Sequence, residues 1–270
     1  MASSDTGRLA SINTVESQVR YTLLLTATIN PENYADQLKA ELIQQRQQEY
    51  INALEYWGQL ADSRISGIVF CENSGTDLSE LKKHFSNKGF IKDRPIEWLS
   101  FSGNQRQGNV HYGYAELGIL DHAIKHSMLL DKTPHFIKIT GRLTFDQLPL
   151  LLDRTASPIE FCADCHRYPD DQQLPVRMRT QLFISSRGFY KQHLYETRED
   201  MLGKCTHIEE YLMMLVWPLR TQGGVLLRFP IEVLPNGFSA SVGESYRSFK
   251  SRCKSSLRAI IRNIMPWYWL

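Results

Sequence analysis

Phe136-Ile137-Lys138-Ile139-Thr140-Gly141-Arg142 is a short apolar run that ends in a hydroxyl, a glycine and a guanidinium. It reads as a buried strand that delivers a cation to a cleft. Glycine allows close backbone approach to a ligand, and arginine makes charge-assisted hydrogen bonds to anions. Upstream, Tyr112-Gly113-Tyr114-Ala115-Glu116 is a glycine-bearing turn that opens a helix, with Leu117, Leu120, Ala123, Ile124, Ser127 and Met128 at helical spacing behind it. His207-Ile208-Glu209-Glu210-Tyr211 places an imidazole and two carboxylates at the start of a further helix. Each of these groups has an ordinary alternative. Arg142 fits a surface salt bridge, Glu116 a dipole or capping role, and Glu209 a capping box with Thr206.

The order of the apolar segments supplies the scaffold for these groups. Residues 19–29 form a first strand, stopped by Asn30-Pro31, and residues 37–57 a long helix carrying Arg46 and Tyr50 on one face. A strand at 65–71 breaks into Glu72-Asn73-Ser74-Gly75, and one at 96–101 ends in Ser102-Gly103-Asn104. Strands that alternate with helices and end in small polar residues predict an open α/β sheet with ligands at its carboxyl edge. After a loose stretch at 154–176, strands follow at 180–185 and 225–229, with helices at 189–195 and 206–219. Residues 229–243, glycine- and serine-rich between prolines, read as a loop that closes over a ligand or one that merely covers the surface.

The succession TLLLTATINP, a helix with R-x-x-x-Y, IVFCENSG, a GYAE turn and FIKITGRL resembles bacterial glycosyltransferases of capsule and lipopolysaccharide synthesis, over roughly residues 19 to 245. The resemblance implies the GT-A-like, Rossmann-like fold: an open mixed sheet flanked by helices, in one large domain. It implies transfer of a sugar from a nucleotide-activated donor to a glycan or lipid-linked acceptor. On the donor side it implicates Thr28, Arg46, Tyr50, Asn73, Ser74, Tyr114, Glu116, Lys138, Thr140 and Gly141. Asn73 and Ser74 would hold the base or ribose, and Glu116 the sugar hydroxyls. Arg142 would hold the leaving phosphates, ahead of Lys138, which lies inside the strand. Glu209 would be the base that deprotonates the acceptor hydroxyl, with His207 and Asp164 on the acceptor side.

This sequence departs from the GT-A pattern at one point. Thr140-Gly141-Arg142 stands where an Asp-x-Asp metal motif is expected, which leaves dependence on a divalent metal open. Two other functions are compatible with such a sheet. A sugar-phosphate nucleotidyltransferase would carry a basic glycine-rich loop after the first strand, where this chain has Thr26-Ala27-Thr28-Ile29-Asn30-Pro31. The second is a non-catalytic protein that binds glycan or lipid.

Composition sets wider bounds. The 270 residues are 42% hydrophobic with a net charge of +2, enough for a core, and no apolar run reaches the roughly 18 residues of a membrane span. The expected organisation is a loose arm at 1–18, a nucleotide-sugar-binding half at 19–153, an acceptor half at 154–245 and a basic amphipathic helix with an aromatic tail at 246–270. With no apolar signal core at its start, the expected location is cytoplasmic, peripheral on the inner face of the plasma membrane. Nucleic acid is not an expected partner.

Five cysteines, an odd number, fit reduced thiols. Cys162-Ala163-Asp164-Cys165-His166 reads as a strand with free thiols, as half of a zinc site, or least of all as a haem attachment site. After Glu244 there is no acidic residue, whereas Arg247, Lys250, Arg252, Lys254, Arg258 and Arg262 follow. Phe249, Cys253, Leu257, Ile260, Ile261 and Ile264 recur at helical spacing among them. That helix either packs its apolar stripe on the sheet or meets an anionic lipid surface, with the Trp267-Tyr268-Trp269 end at headgroup level.

Overall fold

A computed structural model describes residues 19–31, 36–88, 94–104, 112–155, 159–166, 177–202, 207–237, 246 and 248–265. The arm at 1–18, the loop at 167–176, Thr206, residues 238–243 and the aromatic tail at 266–270 lie outside the described residues.

Seven strands form one sheet: β1 (Tyr21–Ala27), β2 (Ile65–Glu72), β3 (Ile96–Ser100), β4 (His135–Thr140), β5 (Phe161–His166), β6 (Arg177–Ser186) and β7 (Val225–Leu226), in the order β3-β2-β1-β4-β6-β5-β7. Four neighbours, β3, β2, β1 and β4, are parallel, and β6 runs antiparallel between β4 and β5. This is the expected open mixed sheet flanked by helices. The strand order reverses between β1 and β4, and open sheets take ligands at the carboxyl side of such a reversal.

Helices cover both faces. Against one lie α1 (Asp36–Gln59), α2 (Ser79–Lys88) and α5 (Leu148–Arg154); against the other lie α3 (Tyr112–His126), α4 (Met128–Lys132), α6 (Arg187–His193), α7 (Arg198–Met201) and α8 (Ile208–Val216). β1 shows why. Leu23 and Leu25 point into the α1 side and Leu24 into the α3 side, all fully buried, so the centre of the strand is continuously apolar rather than alternating. Arg94 completes the end of α1. Its guanidinium donates to the carbonyl of Trp57 (2.6 Å) in the last turn and to those of Leu60 (3.0 Å) and Asp62 (3.0 Å) just beyond it. Among the described residues, no helix is long and apolar enough to cross a membrane.

The last helix, α9 (Phe249–Ile264), is attached by charge. Arg262, its one buried residue, reaches Asp164 with both terminal nitrogens (2.9 and 3.2 Å), Glu232 (2.9 Å) and the Phe229 carbonyl (2.5 Å). Arg179 on β6 lies 3.2 Å from Asp164 and 3.4 Å from Glu232. Phe249, Leu257, Ile260 and Ile264 are meanwhile exposed. The apolar stripe therefore does not pack on the sheet, and a clasp of two carboxylates and two guanidinium groups holds the helix instead.

Candidate functional site

The carboxyl ends of β1, β2 and β4 form one continuous edge, and its residues are fastened to each other. The Thr28 N–H donates to the Tyr50 hydroxyl (2.9 Å), and the Thr28 carbonyl accepts from Arg46 Nη1 (2.7 Å). Thr28 Oγ1 donates to Asn73 Oδ1 (2.7 Å), and the Asn30 N–H donates to Ser74 Oγ (3.0 Å). Beneath them lies Glu72, fully buried. Its carboxylate accepts from the N–H groups of Ile29 (3.0 Å), Ser74 (2.9 Å) and Thr76 (3.2 Å) and from the Ser74 hydroxyl. Sequence reasoning singled out Asn73 and Ser74 and passed over Glu72, whose place at the end of an apolar strand was the one available signal.

Thr28, Arg46, Tyr50, Asn73 and Ser74 are thus brought together as expected, with a correction to how two of them act. Tyr50 (4% exposed) and Asn73 (0%) are enclosed, and their polar atoms hold backbone and neighbouring side chains in place. Burial accordingly raises the Tyr50 hydroxyl pKa. Among the described residues, buried Arg46 Nε and Asn30 Oδ1 have no hydrogen-bond partner.

At the end of β4, the Gly141 N–H donates to the Thr26 carbonyl (2.8 Å). A Cβ at Gly141 would sit 2.7 Å from that oxygen and 3.3 Å from the Tyr50 ring, so only glycine fits and the chain turns directly into Arg142. Arg142 lies at the mouth, on the α1 side, with Nη1 3.4 Å from Glu49 Oε2. Lys138 requires a correction. It is fully buried and points to the α3 side, where its ammonium donates to Glu116 Oε1, the Thr180 carbonyl (2.5 Å) and Thr140 Oγ1 (3.3 Å). Three donors meet three acceptors, which makes Lys138 a holder of Glu116 and not a ligand contact. Glu116 also accepts weakly from Thr26 Oγ1 (3.4 Å) through the same oxygen. Its side chain is 22% exposed, and Oε2 has no partner among the described residues.

Two longer helices begin at this edge. The first turn of α3 touches it where Asn73 Nδ2 approaches the Ala115 carbonyl (3.5 Å). A Cβ at Gly113 would overlap Ile208 at 2.3 Å, so α3 and α8 start against each other. Arg177, at the start of β6, ties Glu210 down (2.6 Å). Glu209 is half-buried beside it and makes no ion pair with Arg142 among the described residues. His207 occupies the N-cap position without a side-chain cap bond. Tyr114, expected on the donor side, instead donates to Glu199 (2.5 Å) under the Arg198 guanidinium, 5.1 Å from its ring, and fastens α3 to α7.

Asp164 is likewise corrected. Burial pushes its carboxyl pKa up, but Arg179 and Arg262 outweigh that and hold it below the ordinary carboxylate value. It is enclosed in the α9 clasp, 1% exposed. Cys162 and Cys165 are buried free thiols belonging to opposite faces of β5, one in each core, so they do not form half of a zinc site.

His166, at the carboxyl end of β5, has its pKa lowered to about 4 by burial, with Arg179 adding to the effect. Because its unfolded value is near 6.5, the unfolded chain binds more protons between pH 6.5 and 4, and stability falls as the pH falls through that window. Asp121 has the opposite slope. Burial raises its carboxyl to about 6, so the stability it contributes is present below its unfolded pKa and is lost as the pH rises towards 6. A His166→Asn variant should therefore lose less Tm than the parent between pH 6.5 and 4, by differential scanning fluorimetry; equal losses would show that His166 does not titrate in this window.

The resemblance noted in the sequence implies a divalent metal held by carboxylates at the end of β4. The donors present there do not fit one. The strand end supplies Thr140 and Arg142, Glu116 is engaged by Lys138, and Glu49 lies against Arg142. Among the described residues, no three His, Cys, Asp or Glu side chains come together as a ligand set.

Neither a family model nor a curated protein matches this chain. Among solved structures it is similar to the galactosyltransferase LgtC in complex with donor and acceptor sugar analogs, at 8% identity and a TM-score of 0.46, over 76% of this chain and 72% of that one. It is similar to a Desulfovibrio desulfuricans G20 protein described as a nucleotide-diphospho-sugar transferase, at 9% identity and a TM-score of 0.39, over 91% and 98%. A cytidylyltransferase from Leptospira borgpetersenii is similar at 11% identity and a TM-score of 0.37, over 77% and 75%.

Proposed function

We propose that this chain is a glycosyltransferase that moves a sugar from a nucleotide-activated donor to a glycan or lipid-linked acceptor, in the cytoplasm, during cell-surface polysaccharide synthesis. One observation carries the reading. The edge where the strand order reverses holds a mouth cation, Arg142, and a carboxylate, Glu116, that has one oxygen fixed by Lys138 and the other unpartnered among the described residues. A cation beside leaving phosphates and a carboxylate for sugar hydroxyls are what transfer from a nucleoside diphosphate sugar requires. In this reading Thr28, Asn73 and Ser74 shape the base and ribose pocket, and Arg142 takes the developing phosphate charge. Thr140 and Gly141 bring Arg142 into place. Glu209, the carboxylate of α8 that Arg177 does not hold, removes the acceptor hydroxyl proton, and His207 lines the acceptor side.

The first test is thermal stabilisation by UDP, GDP, CMP and dTDP and their sugars, each with and without manganese, since a ligand of the folded state raises the midpoint. We expect one nucleotide family to raise Tm, and to do so without manganese. With the donor so named, Arg142→Ala and Glu209→Gln should each lower kcat by about 100-fold or more. Full turnover in both, with folding intact, would remove these roles.

A further inference from the structure

The α9 helix is mounted the opposite way to an ordinary surface helix. Its inward face is Ser251, Ser255, Arg258, Ala259 and Arg262, of which Arg262 is clasped by Asp164 and Glu232. Its outward face carries Phe249 (84% exposed), Leu257 (52%), Ile260 (54%) and Ile264 (68%), with exposed Cys253 among them. At helical spacing these five fall within about 80° of one another. Exposed Lys250 and Lys254 border the stripe on one side and exposed Arg252 on the other. Because buried charge fixes the inner face, the helix cannot roll its stripe inward without separating the clasp.

We infer that this outward face docks on an anionic bilayer surface, with α9 lying parallel to it. The charge pattern selects this occupant. No acidic residue follows Glu244, so the stripe is apolar at its centre and cationic at its borders, the arrangement that inserts among acyl chains while meeting anionic headgroups. A second copy of the same face would bring Lys250, Arg252 and Lys254 against their like. The clasp is at the carboxyl end of β5, so the bilayer would lie beside the sheet edge that carries the candidate site.

The test is flotation of the full chain with vesicles of phosphatidylcholine alone and of phosphatidylcholine mixed with phosphatidylglycerol, at low and high salt. It needs no nucleotide, so its failure would leave the transfer reading untouched. The chain should float with the anionic vesicles at low salt and be released by high salt. Leu257→Asp with Ile260→Asp should weaken that binding by about tenfold or more and leave Tm unchanged, because both positions are exposed. Lys250→Glu with Lys254→Glu should abolish the preference for phosphatidylglycerol. Three results would overturn the inference: no flotation of the parent, equal binding by the Asp variant, or equal binding to neutral and anionic vesicles. Self-association in sedimentation that the Asp variant abolishes, without vesicle binding, would assign the face to a second copy instead.

Discussion

Arg262→Ala should lower the unfolding free energy by about 3–5 kcal/mol, the range for removing one partner of a buried, hydrogen-bonded ion pair. Asp164 and Glu232, 2% and 4% exposed at their side chains, would then keep Arg179 at 3.2 and 3.4 Å but lose their shared hydrogen-bonded guanidinium. The Phe229 carbonyl would lose its 2.5 Å partner as well. Urea titration followed by tryptophan fluorescence measures the loss, with Arg252→Ala on the outer face as the control, expected within about 0.5 kcal/mol of the parent. A loss below about 1 kcal/mol for Arg262→Ala would mean that water replaces the guanidinium and that α9 is not fastened by charge.

Glu72→Ala should cost about 3–4 kcal/mol, because the N–H groups of Ile29, Ser74 and Thr76 lose an acceptor in a buried place, at about 1–3 kcal/mol for each that stays unsatisfied. The variant should also lose the Tm rise produced by the preferred nucleotide. Glu72 fixes the backbone on either side of Thr28 and Asn73, and a pocket whose walls move binds less well. Glu72→Gln keeps one acceptor oxygen but turns an amide donor towards other donors, so an intermediate cost is expected. Unchanged nucleotide response in a folded Glu72→Ala protein would separate this loop from the ligand altogether.

Fold and site differed in how far sequence disclosed them. β4, an apolar run of Phe136, Ile137 and Ile139 with a glycine stop, was readable to within a residue, and the long helix that became α1 to within two. α2 was missed because Leu81 and Phe85 are its only large apolar residues in a charged stretch, and α4, α5 and α7 are too short to show a period. Within the site, Arg142 could be read from the strand-glycine pattern. The fate of Lys138 could not. Alternation assigns it to a face, but whether that face meets water or Glu116 and Thr180 depends on residues 22 and 42 positions away. Asp164 poses the same difficulty at a separation of 98 residues. The helical period of α9 was legible, but not which side would face inward, since that was decided by two buried carboxylates on other segments.

The central place of β1 has a consequence for vectorial synthesis. Tyr21 pairs with Ile65 on one side and with His135 on the other, so β1 is made before both of its neighbours and is the last of the trio to be enclosed. Until β4 has left the ribosome, a strand with a continuous apolar centre has one open hydrogen-bonding edge, a template for wrong partners. Fragments that stop short of Thr140 therefore lack the pairing that encloses β1, and the nascent chain is exposed to aggregation over this interval.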